Sequence, residues 1–168
     1  MNIISAESAD HLRIVQEIAH QTWPSTFADI LSKEQISYML EAMYNSKTLK
    51  EQSASGSQNF LLIQDKDFFY GFASYVLNYA QSSSAKIHKL YLLPSAQGKG
   101  LGKLLIEHVE NIAQSQKQKH VTLNVNKYNP AIGFYKKLGY QITKEEVLPI
   151  GPYWMDDYVM EKKLPENQ

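Results

Sequence analysis

The sequence predicts one mixed α/β layer structure, and three observations carry that prediction. Apolar residues at helical spacing fill the first third of the chain, and runs of Phe, Tyr, Ile and Val with strand texture follow. From Lys86 onward strand and helix signals alternate. The resulting order is helices, an antiparallel hairpin, strand–helix–strand–helix, then a closing hairpin. With 168 residues and no repeat or linker, the expectation is a single domain, 1–168, large enough for a full core.

Residues 2–5 form a short apolar start suited to an edge strand. Residues 9–21 place Leu12, Val15, Ile18 and Ala19 at helical spacing, with Asp10 near the helix start. Trp23-Pro24 is expected to break that helix, because the residue before proline avoids the helical region. Ser32 reads as the next N-cap, and Gln35 completes a capping box. The helix it opens buries Ile36, Met39, Leu40 and Met43. Asn45-Ser46 turns the chain into another short helix, which ends in the serine-rich stretch 53–57 with Gly56.

Strands at 59–64 and 70–78 are joined as a hairpin through 64–67. A serine-rich loop, 81–85, precedes a strand at 86–93. That strand carries Lys86, His88, Leu90 and Leu92 on one face, and Ile87, Lys89, Tyr91 and Leu93 on the other. Pro94 stops it. From Gly100 a helical stripe runs through Leu101, Leu104, Leu105, Val109 and Ile112. A strand at 120–125 follows, then a short helix at 130–138 that begins with Pro130 at its first position and is capped by Gly139. Residues 140–147 and 153–162 are the final strands.

Composition narrows the function. Lys plus Arg and Asp plus Glu number 17 each, so the basic excess typical of nucleic-acid and membrane-surface proteins is missing. Cysteine is absent, which excludes disulfides, thiolate catalysis and cysteine-ligated metals and fits a reducing compartment. Residues 1–10 lack the basic start and apolar run of a signal peptide. No apolar stretch approaches the roughly 20 residues that a spanning helix needs. A cytoplasmic protein is the expectation.

The most informative segment lies between the strand ending at Leu93 and the helix from Gly100. Gly98, Gly100 and Gly102 lack Cβ, so the backbone can bend tightly and approach a ligand. Amide N–H groups at a helix N-terminus then face an anion, and phosphate is the natural occupant. The spacing is neither the dinucleotide G-x-G-x-x-G nor a P-loop, since Lys103 is followed by Leu104 rather than a hydroxyl residue. On spacing alone, a plain packing turn explains these glycines equally well.

The order of two motifs separates those readings. Gln97-Gly98-Lys99-Gly100-Leu101-Gly102 resembles the Q/R-x-x-G-x-G/A motif of the Gcn5-related N-acetyltransferase (GNAT) superfamily. Leu90-Tyr91-Leu92-Leu93-Pro94 looks like that family's central strand. Residues 126–140, with Asn129-Pro130-Ala131 and Phe134-Tyr135-Lys136, resemble its second signature, roughly N-x-x-A-x-x-F-Y-x-K-x-G-F. The resemblance covers residues 86–140. It implies the GNAT fold, an α/β (α+β) arrangement whose central mixed, mostly antiparallel sheet of about six or seven strands is flanked by about four or five helices.

What the resemblance implies for individual residues follows the chemistry of acetyl transfer from acetyl-CoA to a primary amine. Gln97, Gly98, Lys99, Gly100, Leu101, Gly102 and Lys103 would hold the pyrophosphate. Main-chain groups of Leu92 and Leu93 would bind the pantetheine arm like an added strand, and one of their N–H groups would stabilise the developing oxyanion. Tyr135 stands where the family keeps its general acid, and a phenol near pKa 10 matches a departing alkyl thiolate. The family places an asparagine seven residues before that tyrosine, where this chain has Tyr128. Asn126 or Asn129 would replace it through a local bulge, although Asn129 also reads as a helix cap. His88 is the candidate general base, because it titrates in the useful range; a strand histidine without catalytic duty fits equally.

The acceptor is expected to be a small molecule such as a polyamine, or a peptide amine. Trp23, Tyr38, Tyr44, Tyr75, Tyr79, Tyr153 and Trp154 are candidates for its aromatic walls, and Asp156 and Asp157 for attracting a cation. The helix break near Trp23-Pro24 and the acidic pair are loosely similar to the PaiA-like polyamine branch. No metal, nucleic acid or membrane enters this reading, and a homodimer stays open. Two alternatives compete with it: an acyl-CoA sensor without catalysis, and an antibiotic-modifying acetyltransferase.

Overall fold

The computed structural model describes residues 1–166. In chain order its elements are β1 (Asn2–Ser5), α1 (Ala9–Phe27), α2 (Lys33–Tyr44), α3 (Ser46–Ser55), β2 (Asn59–Asp65), β3 (Phe68–Val76), β4 (Ser84–Leu92), α4 (Leu101–Ser115), β5 (His120–Asn126), α5 (Ala131–Lys137), β6 (Gln141–Ile150) and β7 (Tyr153–Lys163). The seven strands hydrogen-bond in the order β1-β2-β3-β4-β5-β7-β6. Two compact units divide the chain: Met1–Val76 with His88–Val109, and Leu77–Ile87 with the residues from Glu110 onward.

In the first unit β2 pairs antiparallel with both β1 and β3, and Leu62 stands opposite Phe72. Helix α1 packs on α2, α3, β2 and β3. Its apolar stripe (Leu12, Val15, Ile18, Ala19) is buried as the spacing requires, and Ser8 caps it by accepting from the His11 N–H at 3.1 Å. Trp23 sits at the centre of this core. Its indole donates to the Tyr44 hydroxyl at 3.3 Å, and its ring lies 4.6 Å from Phe27 and 5.7 Å from Tyr91.

That packing explains why α1 runs through the expected break. Pro24 lies inside the helix, which continues to Phe27. A proline there removes the N–H that would bond the carbonyl of His20, and interior prolines usually cost about 3 kcal/mol. His20, whose carbonyl loses that bond, is an exposed residue. Trp23 and Phe27, each about 2% exposed, hold the chain helical on either side of the proline. Local propensity loses here to tertiary packing.

Ser32 caps α2 as expected, accepting from the Gln35 N–H at 3.1 Å. The buried face of α2 ends in Tyr44 rather than Met43, which is half-buried. Asn45 serves both neighbouring helices. Its Nδ2 donates to the Glu41 carbonyl at 2.8 Å, and its Oδ1 accepts from the Thr48 N–H at 2.8 Å. Gly56 then closes α3 with φ +73°.

In the second unit the start of β4 pairs parallel with β5, from Ser84↔His120 to Ile87↔Leu123. A parallel pair needs a long connection, and α4 is part of it. Strand β7 pairs antiparallel with β5 and β6. Leu123, Tyr140 and Met160 are buried. Glu110 accepts from the Tyr140 hydroxyl at 3.2 Å and from the Lys162 ammonium at 3.0 Å. Gly139 (φ +97°) ends α5 as read from the sequence, with Ala131 rather than Pro130 as the first helical residue.

Several boundaries and one stripe differ from expectation: β3 spans Phe68–Val76 rather than 70–78, and most other strand ends shift by one to three residues. β4 starts inside the serine-rich loop, at Ser84, and β6 continues to Ile150. The buried positions of α4 include Leu101, Leu105, Ile106, Val109 and Ala113, while Leu104 is 43% exposed and Ile112 is half-buried. The stripe is rotated by one residue from the one the periodicity suggested.

Candidate active site

The first unit contributes the glycine turn. After β4, a short helical turn at Pro94–Ala96 is tied back by the Ala96 N–H to the Leu93 carbonyl at 2.8 Å. The Gln97 side chain then reaches back to the Leu92 carbonyl at 3.5 Å. Gly98 and Gly100 both adopt left-handed φ, +76° and +78°, which most side-chain-bearing residues avoid. A Cβ on either would meet nothing within 4 Å, so the backbone there fronts open space.

Helix α4 begins at once. The Leu104 N–H donates to the Gly100 carbonyl at 3.2 Å, and this is the first bond of the helix. The N–H groups of Leu101, Gly102 and Lys103 therefore precede any intrahelical acceptor. No acidic side chain occupies this first turn, so the positive end of the helix is left for an anion. Lys103 pairs with Glu107 at 3.7 Å on an exposed face, and Lys99 is exposed.

Leu92 and Leu93 differ in what they can offer. The Leu93 N–H donates to the Tyr70 carbonyl at 2.8 Å, so it is committed within the sheet. Of the two expected oxyanion donors, the Leu93 N–H is thus already engaged. The end of β4 is held tightly. A Cβ on Gly71 would lie 2.5 Å from the Tyr91 carbonyl and 2.5 Å from Leu92 Cδ2, so only glycine allows this approach. His88 is half-buried on the same strand.

The second unit holds the other sequence-predicted residues. Tyr135 on α5 is 8% exposed, its ring 5.3 Å from Phe134 and 6.1 Å from Tyr140. Burial pushes its phenol up to about 12, so it carries its proton at neutral pH. Asn126 is buried; its Oδ1 accepts from the Tyr128 N–H at 2.9 Å and its Nδ2 lies 3.9 Å from Met155 Sδ. Asn129 Oδ1 accepts from the Ala131 N–H at 2.9 Å, a two-residue turn that leads the chain into α5, whose N-cap is Pro130. The β5–β7 ladder runs without a shift from His120↔Lys163 to Asn126↔Asp157, so the bulge that would have re-aimed either asparagine is not on this edge.

The proposed aromatic walls divide. Trp23 and Tyr44 are core residues, whereas Tyr38, Tyr79 and Trp154 are 39%, 36% and 63% exposed. Two polar arrangements escaped the sequence reading. Lys89 is buried in the first unit against Gln58. In the second unit, Asp157 is 6% exposed and shares the Asn124 amide with Glu146. Neither pairing has a local sequence signature; each joins residues far apart in the chain.

Comparison with known proteins agrees with this geometry. The family model described as an acetyltransferase (GNAT) domain matches residues 27–156. A spermidine N(1)-acetyltransferase from Thermoplasma acidophilum is 25% identical over 162 residues, 93% of each chain. The peptidyl-lysine N-acetyltransferase YjaB of Salmonella typhimurium is 42% identical over 67 residues, a match that spans 38% of this chain and 43% of that protein. Among solved structures, the PaiA N-acetyltransferase of Thermoplasma acidophilum in complex with coenzyme A superposes with a TM-score of 0.81. It is 25% identical, over 97% of this chain and 99% of that one.

Proposed function

This chain belongs to the GNAT acetyltransferase family, and on that premise we propose that it transfers the acetyl group of acetyl-CoA to a primary amine by direct attack in a ternary complex. The observation that carries the proposal is the pair of left-handed glycines, Gly98 and Gly100, which front open space at the start of α4. Such a turn fits a pyrophosphate, and a relative with this fold is bound to coenzyme A. The cosubstrate supplies an activated thioester.

Residue by residue, we assign the N–H groups of Leu101, Gly102 and Lys103 to the pyrophosphate, with Gln97 and Lys99 lining the turn. The Leu92 main chain binds the pantetheine arm and offers the oxyanion donor. Asn129 or Asn126 presents its amide Nδ2 group to the cofactor arm, since their oxygens accept from local N–H groups. The acceptor nitrogen attacks as the neutral amine, and the proton it sheds passes to His88, directly or through water. As the carbon–sulfur bond breaks, the Tyr135 phenol protonates the departing thiolate, and solvent restores the phenol. A buried, fully protonated phenol suits that role.

The relatives' names, peptidyl-lysine and spermidine acetyltransferases, support an aliphatic primary amine as acceptor. Among the described residues no helix is long and apolar enough to cross a membrane. We place the enzyme in the cytoplasm, acting as one domain. The test is release of free thiol from acetyl-CoA with spermidine, aminoglycosides and short peptides as acceptors. Amine-dependent thiol release supports the reading. Coenzyme A binding with no thiol release from any amine would instead identify an acyl-CoA sensor.

A further inference from the structure

Strands β5, β7 and β6 place three polar side chains on one face of the second unit. Asn126, Asp157 and Glu146 lie directly opposite one another across the two antiparallel ladders, and residues so placed share a face. Asn124, two residues before Asn126, shares it too. The Asn124 amide donates to Glu146 Oε2 at 2.8 Å and, more weakly, to Asp157 Oδ2 at 3.4 Å. One neutral amide therefore serves two carboxylates.

That arrangement leaves a gap in the hydrogen bonding. Asp157 is 6% exposed, and its Oδ1 is buried with no hydrogen-bond partner among the described residues. A buried carboxylate oxygen without a donor is costly and rare. Burial raises the Asp157 carboxyl above its ordinary range; the Asn124 hydrogen bond opposes this, Glu146 and Asp156 add to it, and Lys86 lowers it again. Lys86 does not close the gap: it makes no hydrogen bond to Asp157 Oδ1, and its Nζ instead donates to the Tyr79 hydroxyl at 3.2 Å and sits 4.4 Å above that ring. Asp156 pairs with Lys127 at 3.0 Å and has no spare cation to share.

An ammonium would supply the missing donor and offset two carboxylates that Lys86 alone tempers. We propose that Asp157 and Glu146 hold an ammonium group of the acceptor, with Glu146, which is half-buried, as the solvent-side member of the pair. An ammonium offers three N–H donors and relieves the repulsion between the two acids. The inference rests on the acetyltransferase reading and narrows it. A nitrogen clamped between carboxylates is held protonated and cannot act as the nucleophile. The nitrogen that is acetylated is therefore a second one. The acceptor class this selects is a diamine or polyamine, not a simple monoamine.

The test measures binding before chemistry. The full chain, saturated with coenzyme A, is titrated by calorimetry with cadaverine and with pentylamine, which has the same carbon chain and one ammonium fewer. The expected result is a preference for cadaverine of at least about tenfold, the size of one charged hydrogen bond. Asp157→Asn and Glu146→Gln should each reduce that preference while coenzyme A affinity, the check on folding, stays as in the wild type. Equal binding of both amines, or a preference that survives both substitutions, overturns the proposal. Thiol release is then followed with the same amines. A cadaverine preference without thiol release would overturn the transfer reading and leave the cation site standing, so the two failures are distinct.

Discussion

The ammonium of Lys89 donates to Gln58 Oε1 at 2.6 Å, and that amide oxygen also accepts from the Ser74 hydroxyl at 2.8 Å. Lys89 is 4% exposed, its Nζ 5.5 Å from the Tyr44 ring and 5.6 Å from the Phe60 ring. A strand in the centre of the sheet thus carries a buried cation held by a neutral amide and aromatic faces, and among the described residues no ion pair reaches it.

Burial drives the Lys89 ammonium down to about 8. Unfolding returns the group to its ordinary value, so between those limits the unfolded chain binds the extra proton and stability rises with pH. Stability should therefore increase from about pH 8 to about pH 10, where unfolded tyrosines begin to ionise, by up to about 3 kcal/mol from this residue. Lys89→Met should flatten that slope and raise stability at pH 7 by about 1–2 kcal/mol, because a buried unpaired charge is replaced by an apolar chain of similar length. Urea midpoints across pH check both. A wild-type curve that is flat or falling from pH 8 to 10 contradicts the assignment.

Two glycines should respond in opposite directions to alanine. At Gly71 the new Cβ would lie 2.5 Å from a backbone carbonyl of β4, and the strand cannot withdraw without losing its hydrogen bonds. Gly71→Ala is expected to cost about 2–3 kcal/mol. Gly133, inside α5, has nothing within 4 Å of its Cβ position, so Gly133→Ala should stabilise by about 0.5–1 kcal/mol. Denaturant midpoints of the two variants decide.

The turn should separate folding from ligand binding. Gly100 sits at φ +78° with open space around its Cβ position. Gly100→Ala is expected to cost about 1–2 kcal/mol in stability from backbone strain alone. Its larger effect should be on coenzyme A affinity, since the methyl projects where the ligand backbone contact is assigned, and Gly100→Val should abolish binding. Calorimetry with coenzyme A measures it; unchanged affinity in Gly100→Val would remove the turn from the cofactor site.

Tyr135→Phe tests the proton donor. Turnover should fall by about 10²–10⁴-fold, the usual range for general acid catalysis, with coenzyme A affinity nearly unchanged. In the wild type, turnover should be lost as pH rises through about 12, where the phenol ionises; no loss below that value should come from this group. Steady-state thiol release in wild type and variant makes the comparison, and equal turnover would assign the acid elsewhere.

The sequence made the site's skeleton legible where chemistry is local. Gly98 and Gly100 announce a turn because only glycine enters left-handed φ freely, and Ser32 with Gln35 announces a cap because the bond spans three residues. Pro24 shows the limit. The rule that proline ends a helix is also local, yet Trp23 and Phe27 override it through partners as distant as Tyr91. The α4 stripe failed for a related reason: periodicity finds a face to within about one residue, and only the neighbours decide whether Leu104 or Ala113 is covered. Lys89 with Gln58, and Asp157 with Asn124, are separated by 31 and 33 residues. Nothing in a one-dimensional pattern marks such partners.

Asn45 joins the end of α2 to the start of α3 with a single side chain, donating to the Glu41 carbonyl and accepting from the Thr48 N–H. Of the short polar residues only asparagine carries a donor and an acceptor two bonds beyond Cβ. Aspartate there would keep the contact to Thr48 and set a negative oxygen against the Glu41 carbonyl; serine would not span both. The two helices are therefore not independent modules. Lengthening, trimming or grafting either one at this corner disturbs the other, and transplants of this region should move both helices as one cassette.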